Sequence, residues 1–305
     1  MAPLNVYVSF YTSLIKSLTT LVFARLYKPQ KLSQRDLSGQ TAIVTGANSG
    51  IGLSIAVQLA KQDATVYLAC RNPQRGQKAV DEVVARVGEK SEGKVHCWDL
   101  DTSDLNSVRS FCERWITQGK KIDMLVHNAG IASAPPNSPT TTQDGKELIY
   151  VTNFLGSFLM THLLERHLFS DARVVLTSSS GHYSAAETLF KSQTAKETRA
   201  PGLATRAWKA LVENLGLEKS SAPAYGRTKA QQVLFAQLLQ AHFSSAPQNG
   251  RTAHAFTPGF TATPIFSNLV DFMRGVMGER EFAKKAEGEW RRWEGDADVN
   301  WDVGL

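Results

Sequence analysis

The run Thr45-Gly46-Ala47-Asn48-Ser49-Gly50-Ile51-Gly52 is the first stretch of this chain whose residue types could do chemistry. Glycine lacks the Cβ that holds a ligand away from the backbone. A glycine-rich turn between a strand and a helix therefore offers main-chain N–H groups and a helix N-terminus to a pyrophosphate. The spacing is Gly-x-x-x-Gly-x-Gly, which alone means no more than a tight turn; its place after the first strand of a βαβ unit makes it a nucleotide signal. Gly46, Asn48, Ser49, Gly50, Ile51 and Gly52 form the expected cradle. The second strand is followed by Arg71, where an acidic residue would grip the ribose hydroxyls of NAD. A guanidinium suits the additional 2′-phosphate of NADP, the alternative being an ordinary solvated arginine. Farther along, Tyr225 and Lys229 lie four residues apart, one helical turn, on one face. A free phenol near pKa 10 is a poor acid–base group at neutral pH, and an adjacent ammonium would lower it. Without other signals, such a pair is more often mere surface helix.

These residues need strand ends and helix starts to hold them. Short β-branched runs alternate with helical periodicity: strands at Thr41 to Val44, Thr65 to Ala69, Lys94 to Trp98, Met124 to His127, Arg173 to Leu176 and Thr252 to Phe256. Between them the spacing predicts helices at Leu53 to Gln62, about Gln77 to Val87, Ser107 to Gln118, Tyr150 to Leu168, and Tyr225 to His242. That alternation predicts one Rossmann-type α/β domain, a doubly wound parallel sheet with helices on both faces, over residues 37–305. Residues 1–36 read as a separate amphipathic helix and linker. Tyr7, Phe10, Tyr11, Leu14, Leu18, Leu21 and Val22 form one stripe, with Lys16 and several hydroxyls opposite. Peripheral contact with a membrane surface through residues 7–26 and packing on protein are both consistent with that stripe.

The chain has 305 residues, 42% hydrophobic and 20% charged, with a formal charge of +6. Those values suit a large folded core and an anionic ligand or surface. No dense basic run interleaved with aromatics is present, so nucleic acid is not expected as a partner. Cys70, Cys97 and Cys112 are an odd, sparse set without metal-ligand spacing. They read as buried thiols in a reducing compartment, with no metal site. The expected location is cytoplasmic, or peripheral on the cytosolic face of an internal membrane.

Taken in order, Thr45 to Gly52, Asp99-Leu100, His127-Asn128-Ala129-Gly130, Asn153, Ser178-Ser179, Tyr225-Gly226-Arg227-Thr228-Lys229 and Pro258-Gly259 resemble the short-chain dehydrogenase/reductase family. The resemblance runs from about Leu37 to Thr263 and is similar to the retinol-dehydrogenase-like and fungal branches. It implies hydride transfer between NADP(H) and a carbonyl or alcohol. Tyr225 would be the general acid or base, and Lys229 would lower its pKa and hold the nicotinamide ribose. Ser179 would polarise the carbonyl, with Ser178 as the other candidate in the run. The carboxamide of Asn153 would support a water-mediated proton path. Asp99, with Leu100, would meet the adenine; Asn128, Ala129 and Gly130 would line the cofactor passage. Pro258, Gly259, Thr261 and Thr263 would meet the nicotinamide carboxamide. His127 stands where asparagine is frequent, and His182 and Tyr183 follow the active serine.

Two departures from the pattern are visible. Ser179 and Tyr225 are separated by 46 positions (225 − 179), far more than in many members. The extra segment, with Leu189, Phe190, Leu203 and Trp208, reads as a flap favouring a bulky lipophilic substrate, or as a surface excursion. Beyond Thr263 only 42 residues remain (305 − 263), with a lid at Pro264 to Met277 and no convincing last strand. That leaves the oligomeric state open. The expected function is an NADP-dependent oxidoreductase for a lipophilic carbonyl or alcohol, in lipid or polyketide-type metabolism. The alternatives are a non-catalytic NADP-binding relative and a Rossmann-like methyltransferase, the latter leaving Tyr225 and Lys229 unexplained.

Overall fold

Continuous apolar runs such as Ala42-Ile43-Val44 and Met124-Leu125-Val126 can be satisfied only in strands covered on both faces. The computed structural model describes residues 34–135, 138–179, 181–182, 222–245 and 250–258. Within them, β1 (Thr41–Thr45), β2 (Thr65–Cys70), β3 (Val95–Asp99), β4 (Ile122–His127), β5 (Leu168–Thr177) and β6 (Thr252–Phe256) form a single sheet. The order is β3-β2-β1-β4-β5-β6, and every pairing is parallel. Val44 sits in register with Leu68 on one side and Val126 on the other. Strand order reverses between β1 and β4. Loops leaving their C-terminal ends therefore diverge and open a crevice.

Helices α1 (Gly50–Lys61) and α2 (Pro73–Val87) cover one face. Leu53, Ala56, Val80 and Val83 pack there on Val44, Val66 and Leu68. Helix α3 (Leu105–Thr117), helix α4 (residues 148–164) and helix α5 (Ala222–Ser244) cover the other. Phe111, Trp115, Leu164, Phe235 and Phe243 meet Ile43, Leu125 and Val174 on that side. Side chains alternate across each strand, so adjacent residues such as Ile43 and Val44 serve opposite cores. Asn72 caps α2 by accepting the Arg75 N–H at 2.9 Å, and Asp104 caps α3 through Asn106 at 2.9 Å. Those caps explain why both helices start earlier than apolar periodicity suggests. Cys70 and Cys112 are buried and Cys97 partly so, all as free thiols.

The predicted helix from Tyr150 to Leu168 is corrected. Helix α4 begins as Leu148–Tyr150, passes through a π-helical turn at Val151–Leu155, and continues as Gly156–Leu164. A short 3₁₀ turn follows, and Leu168 already pairs with Ile122 in β5. Leu163, Leu164 and Leu168 keep helical spacing across the boundary, so periodicity could not find it. Exposed Phe169 and a register shift between Ile122 and Met124 hide the start of β5 from an alternation pattern. The amphipathic segment 7–26 and the residues beyond Pro258 lie outside the described residues.

Candidate active site

The crevice at the β1/β4 reversal is walled by glycine on one side. Gly46 and Gly50 adopt φ of +65° and +57°, values that L side chains rarely tolerate. A Cβ on Gly46 would come within 2.8 Å of the Ala129 Cα, and one on Gly52 within 2.5 Å of Asn128 Nδ2. Ser49 is the N-cap of α1 but makes no side-chain cap, and no acidic residue occupies the first turn. The leading N–H groups of α1 thus lack a competing side-chain acceptor, which fits an anion. A dinucleotide phosphate suits this arrangement of residues. Thr45 ties the cradle to β4: its Oγ1 accepts the N–H groups of Asn128 and Ala129, both at 3.0 Å. Asn128 returns its Nδ2 to the carbonyls of Thr45 and Gly46 at 3.2 and 3.3 Å. Asp99 and Arg71 are exposed at the ends of β3 and β2, whereas Leu100 is buried.

The other wall is polar and sealed. Lys229 is 2% exposed, and its Nζ donates to the Thr177 carbonyl at 2.7 Å and to Gln232 Oε1 at 3.2 Å. It lies 5.5 Å from the centre of the Tyr225 ring. A Cβ on Gly130 would stand 3.4 Å from this nitrogen, so glycine keeps that approach open. Burial pushes the Lys229 ammonium down to about 7. The Ser179 side chain beside Tyr225 favours the phenolate and lowers its pKa, but burial raises it by more. The expectation that Lys229 lowers Tyr225 is therefore not met in this structure. Desolvation of the phenol dominates, and the lysine nitrogen sits over the ring.

The two candidate serines separate clearly. Ser178 is buried and donates to the Lys229 main-chain carbonyl at 2.9 Å, pinning α5 to the end of β5. Ser179 Oγ accepts the Gly181 N–H at 3.1 Å and faces Tyr225. Gly181 packs on the phenol ring, its Cβ position 3.2 Å from Tyr225 Cε1. His182 turns back through Nδ1 to the Ser179 carbonyl.

Asn153 sits in the π-helical turn and is fully buried. Its Oδ1 accepts the Ile131 N–H at 2.8 Å, while Nδ2 donates to the Ile131 carbonyl at 2.9 Å and to Thr228 Oγ1 at 3.1 Å. The carboxamide thus braces the loop after β4 and has no donor left for a proton path. Its main-chain carbonyl is the group that faces Lys229, through Gln232 Nε2 at 2.7 Å. His127 is fully buried beneath this loop; its Nε2 meets Thr161 Oγ1 at 2.8 Å, and burial holds its pKa near about 3. Pro258 ends the described part of the loop after β6. Gly259, Thr261, Thr263 and Tyr183 lie outside the described residues.

Sequence reasoning gave Thr45 and Thr228 no role of their own, though both stand inside its motifs, and missed Gln232. Thr228, Lys229 and Gln232 continue the buried stripe of Phe235, Ala236, Leu239 and Phe243 at helical spacing. A polar start to an apolar stripe was the available signal.

A parallel sheet reversing at a glycine cradle is a dinucleotide-binding architecture. The model of the short chain dehydrogenase family matches residues 40–189. Retinol dehydrogenase 12 of Mus musculus is 33% identical over 236 residues, covering 76% of this chain and 65% of that protein. Dehydrogenase/reductase SDR family member 13 of Homo sapiens is 32% identical over 277 residues, covering 90% of this chain and 61% of that protein. The chain therefore spans less than two thirds of the length of these relatives. An uncharacterized protein from Mycobacterium Paratuberculosis matches with a TM-score of 0.55 and 30% identity, over 79% of this chain and 75% of that one. Residues 40–189 thus match the short-chain dehydrogenase/reductase family, and the chain is retinol-dehydrogenase-like in sequence. These relatives do not bear on the fungal likeness.

Proposed function

We propose that this protein is an NADP-dependent oxidoreductase interconverting a lipophilic carbonyl and its alcohol. The observation that carries the reading is the placement of the Tyr225 phenol beside Ser179, next to buried Lys229 and across the crevice from the glycine cradle. The nicotinamide, when bound, supplies or accepts the hydride. Gly46, Gly50 and Gly52 admit its pyrophosphate, and Asp99 with Leu100 borders the adenine. Arg71 stands at the end of β2 for the 2′-phosphate, a charge-assisted contact that NAD cannot make. Asn128, Ala129, Gly130 and Pro258 would line the remaining passage, and Gly259, Thr261 and Thr263 are the partners that the family resemblance implies for the nicotinamide carboxamide.

For reduction, Ser179 and Tyr225 hydrogen-bond the carbonyl oxygen and drain its developing negative charge. Burial keeps the phenol of Tyr225 neutral, which is the form that donates a proton to that oxygen. Lys229 holds positive charge on the proton-delivery side. Oxidation runs the same contacts backwards and requires Tyr225 to accept the proton. The names of the retinol dehydrogenase relatives support a lipophilic alcohol or aldehyde as substrate class; a place in lipid or polyketide-type metabolism is part of the proposal. Peripheral membrane contact through residues 7–26, on the cytosolic face, belongs to this reading, with residues 37–305 as the catalytic domain.

The test is fluorescence titration with NADPH and with NADH, followed by reduction of all-trans-retinal as the probe carbonyl. Selective NADPH binding, with turnover abolished by Tyr225→Phe while binding persists, is expected. A folded protein that binds neither nucleotide overturns the reading; NADH preference overturns only the role of Arg71.

A further inference from the structure

We propose that Gln232 is a positioning residue for Lys229, a side-chain bridge that holds the lysine ammonium at a fixed distance from the main-chain carbonyl of Asn153. The proposal rests on the catalytic reading of Tyr225 and Lys229 given above.

Gln232 is fully buried, and its amide spans two groups on different elements. Nε2 donates to the Asn153 carbonyl at 2.7 Å and Oε1 accepts from Lys229 Nζ at 3.2 Å. The orientation of this amide is fixed by chemistry. An ammonium has only donors and a carbonyl only acceptors, so a flipped amide would meet both neighbours wrongly. The carbonyl belongs to the π-helical turn Val151–Leu155, where bonds run i→i+5 instead of i→i+4. Gln232 lies three residues beyond Lys229 in α5, so one helical turn sets the two side chains beside each other and Gln232 alone reaches that carbonyl.

The geometry sets what the bridge does. Lys229 has three N–H donors; Thr177 takes one and Gln232 a second. With two taken among the described residues, a third remains on a nitrogen that Gly130 and the Tyr225 ring also border. Among the described residues, Tyr225 is the titratable side chain adjoining Lys229 from its own helix. β5 presents the Thr177 carbonyl, α4 presents Asn153, and the loop after β4 presents Gly130. None of these carries a compensating negative charge, and burial alone moves the lysine. An acceptor dipole at position 232 therefore favours the charged form, and removing it leaves the nitrogen poorer by one partner.

Two substitutions move this balance in opposite directions. Gln232→Met keeps the length and approximate volume but loses both hydrogen bonds. Gln232→Glu keeps the lysine contact, adds negative charge, and sets a carboxylate oxygen against the Asn153 carbonyl. Protein with 13C-labelled lysine Cε, titrated by NMR with Lys229→Met to assign the signal, reads the lysine directly without any substrate. Relative to the native chain, Gln232→Met is expected to lower the Lys229 midpoint and Gln232→Glu to raise it, each by about one pH unit. Turnover of all-trans-retinal with NADPH should fall roughly tenfold in Gln232→Met with NADPH affinity nearly unchanged, and recover in part in Gln232→Glu.

If both variants bind NADPH and titrate with the native midpoint, the positioning role is overturned. If Gln232→Met fails to fold, the upward shift in Gln232→Glu decides the matter alone. Failure of the broader reading looks different: Tyr225→Phe would then retain native turnover whatever the lysine midpoint does.

Discussion

The two walls of the crevice are built on opposite principles. The cradle after β1 works by missing atoms: Gly46, Gly50 and Gly52 leave backbone exposed to a ligand, and Ser49 leaves the start of α1 uncapped by a side chain. The network around Lys229 works by satisfied atoms: Asn153, Thr228 and Gln232 are fully buried, and each is hydrogen-bonded across elements. A wall of the first kind is broken by adding a methyl group. One of the second kind is broken by taking a partner away, because a buried orphan bears its desolvation cost with no hydrogen bond to offset it. Binding and chemistry can therefore be damaged separately.

The largest expected effect lies on the polar wall. Tyr225→Phe removes the proton donor and should lower turnover of retinal by about 10²–10⁴-fold while fluorescence still reports NADPH binding. Loss of binding in step with activity would show that the two walls are not independent. On the other wall, Gly46→Ala forces an L residue to φ of +65° with its Cβ 2.8 Å from the Ala129 Cα. NADPH affinity should fall at least about tenfold, alongside roughly 1–3 kcal/mol of stability by denaturant titration. An unchanged affinity would deny that the turn approaches the cofactor.

Next in size is Asn153→Leu, which orphans both polar groups of Ile131 and the acceptor side of Thr228. About 2–4 kcal/mol of stability should disappear by the same titration, and the cradle should keep some NADPH affinity in whatever remains folded.

The smallest effect is a slope with pH. Between about 7 and the ordinary lysine value of 10.5 the unfolded chain holds a proton that Lys229 releases when folded, so stability should rise with pH across that window. Lys229→Met should flatten the rise. His127 gives the same sign lower down: stability is fully present above 6.5 and is lost as pH falls towards about 3. His127→Asn should flatten that acid limb. A protein whose denaturation midpoint ignores pH in both windows would deny that burial lowers the pKa of these two groups.

What could be read from the sequence differs between the walls for the same reason. A cradle made of glycines is written in the residue types, since Gly46, Gly50 and Gly52 have one plain use at a strand end. The strands were legible because parallel strands covered twice are simply apolar. The network was half legible. Tyr225 and Lys229 announce themselves by one-turn spacing, but Gln232 matters only because a π turn in α4 brings a carbonyl to it. No local pattern encodes a partner some eighty positions away. The choice between Ser178 and Ser179 likewise depended on which one α5 occupies from across the crevice. The boundary between α4 and β5 stayed hidden because Leu168 keeps helical spacing while pairing as a strand.

The packing of Gly181 on Tyr225 has a consequence for how this chain tolerates change in length. These residues close a loop of 44 positions (225 − 181) in the unfolded chain. Closure entropy grows only logarithmically, and doubling that length would cost about 0.6 kcal/mol. Ser179 is fixed by its strand and Tyr225 by its helix. A change of length between them is thus nearly free for the fold, and the proposed Ser179–Tyr225 pairing can persist whatever its size.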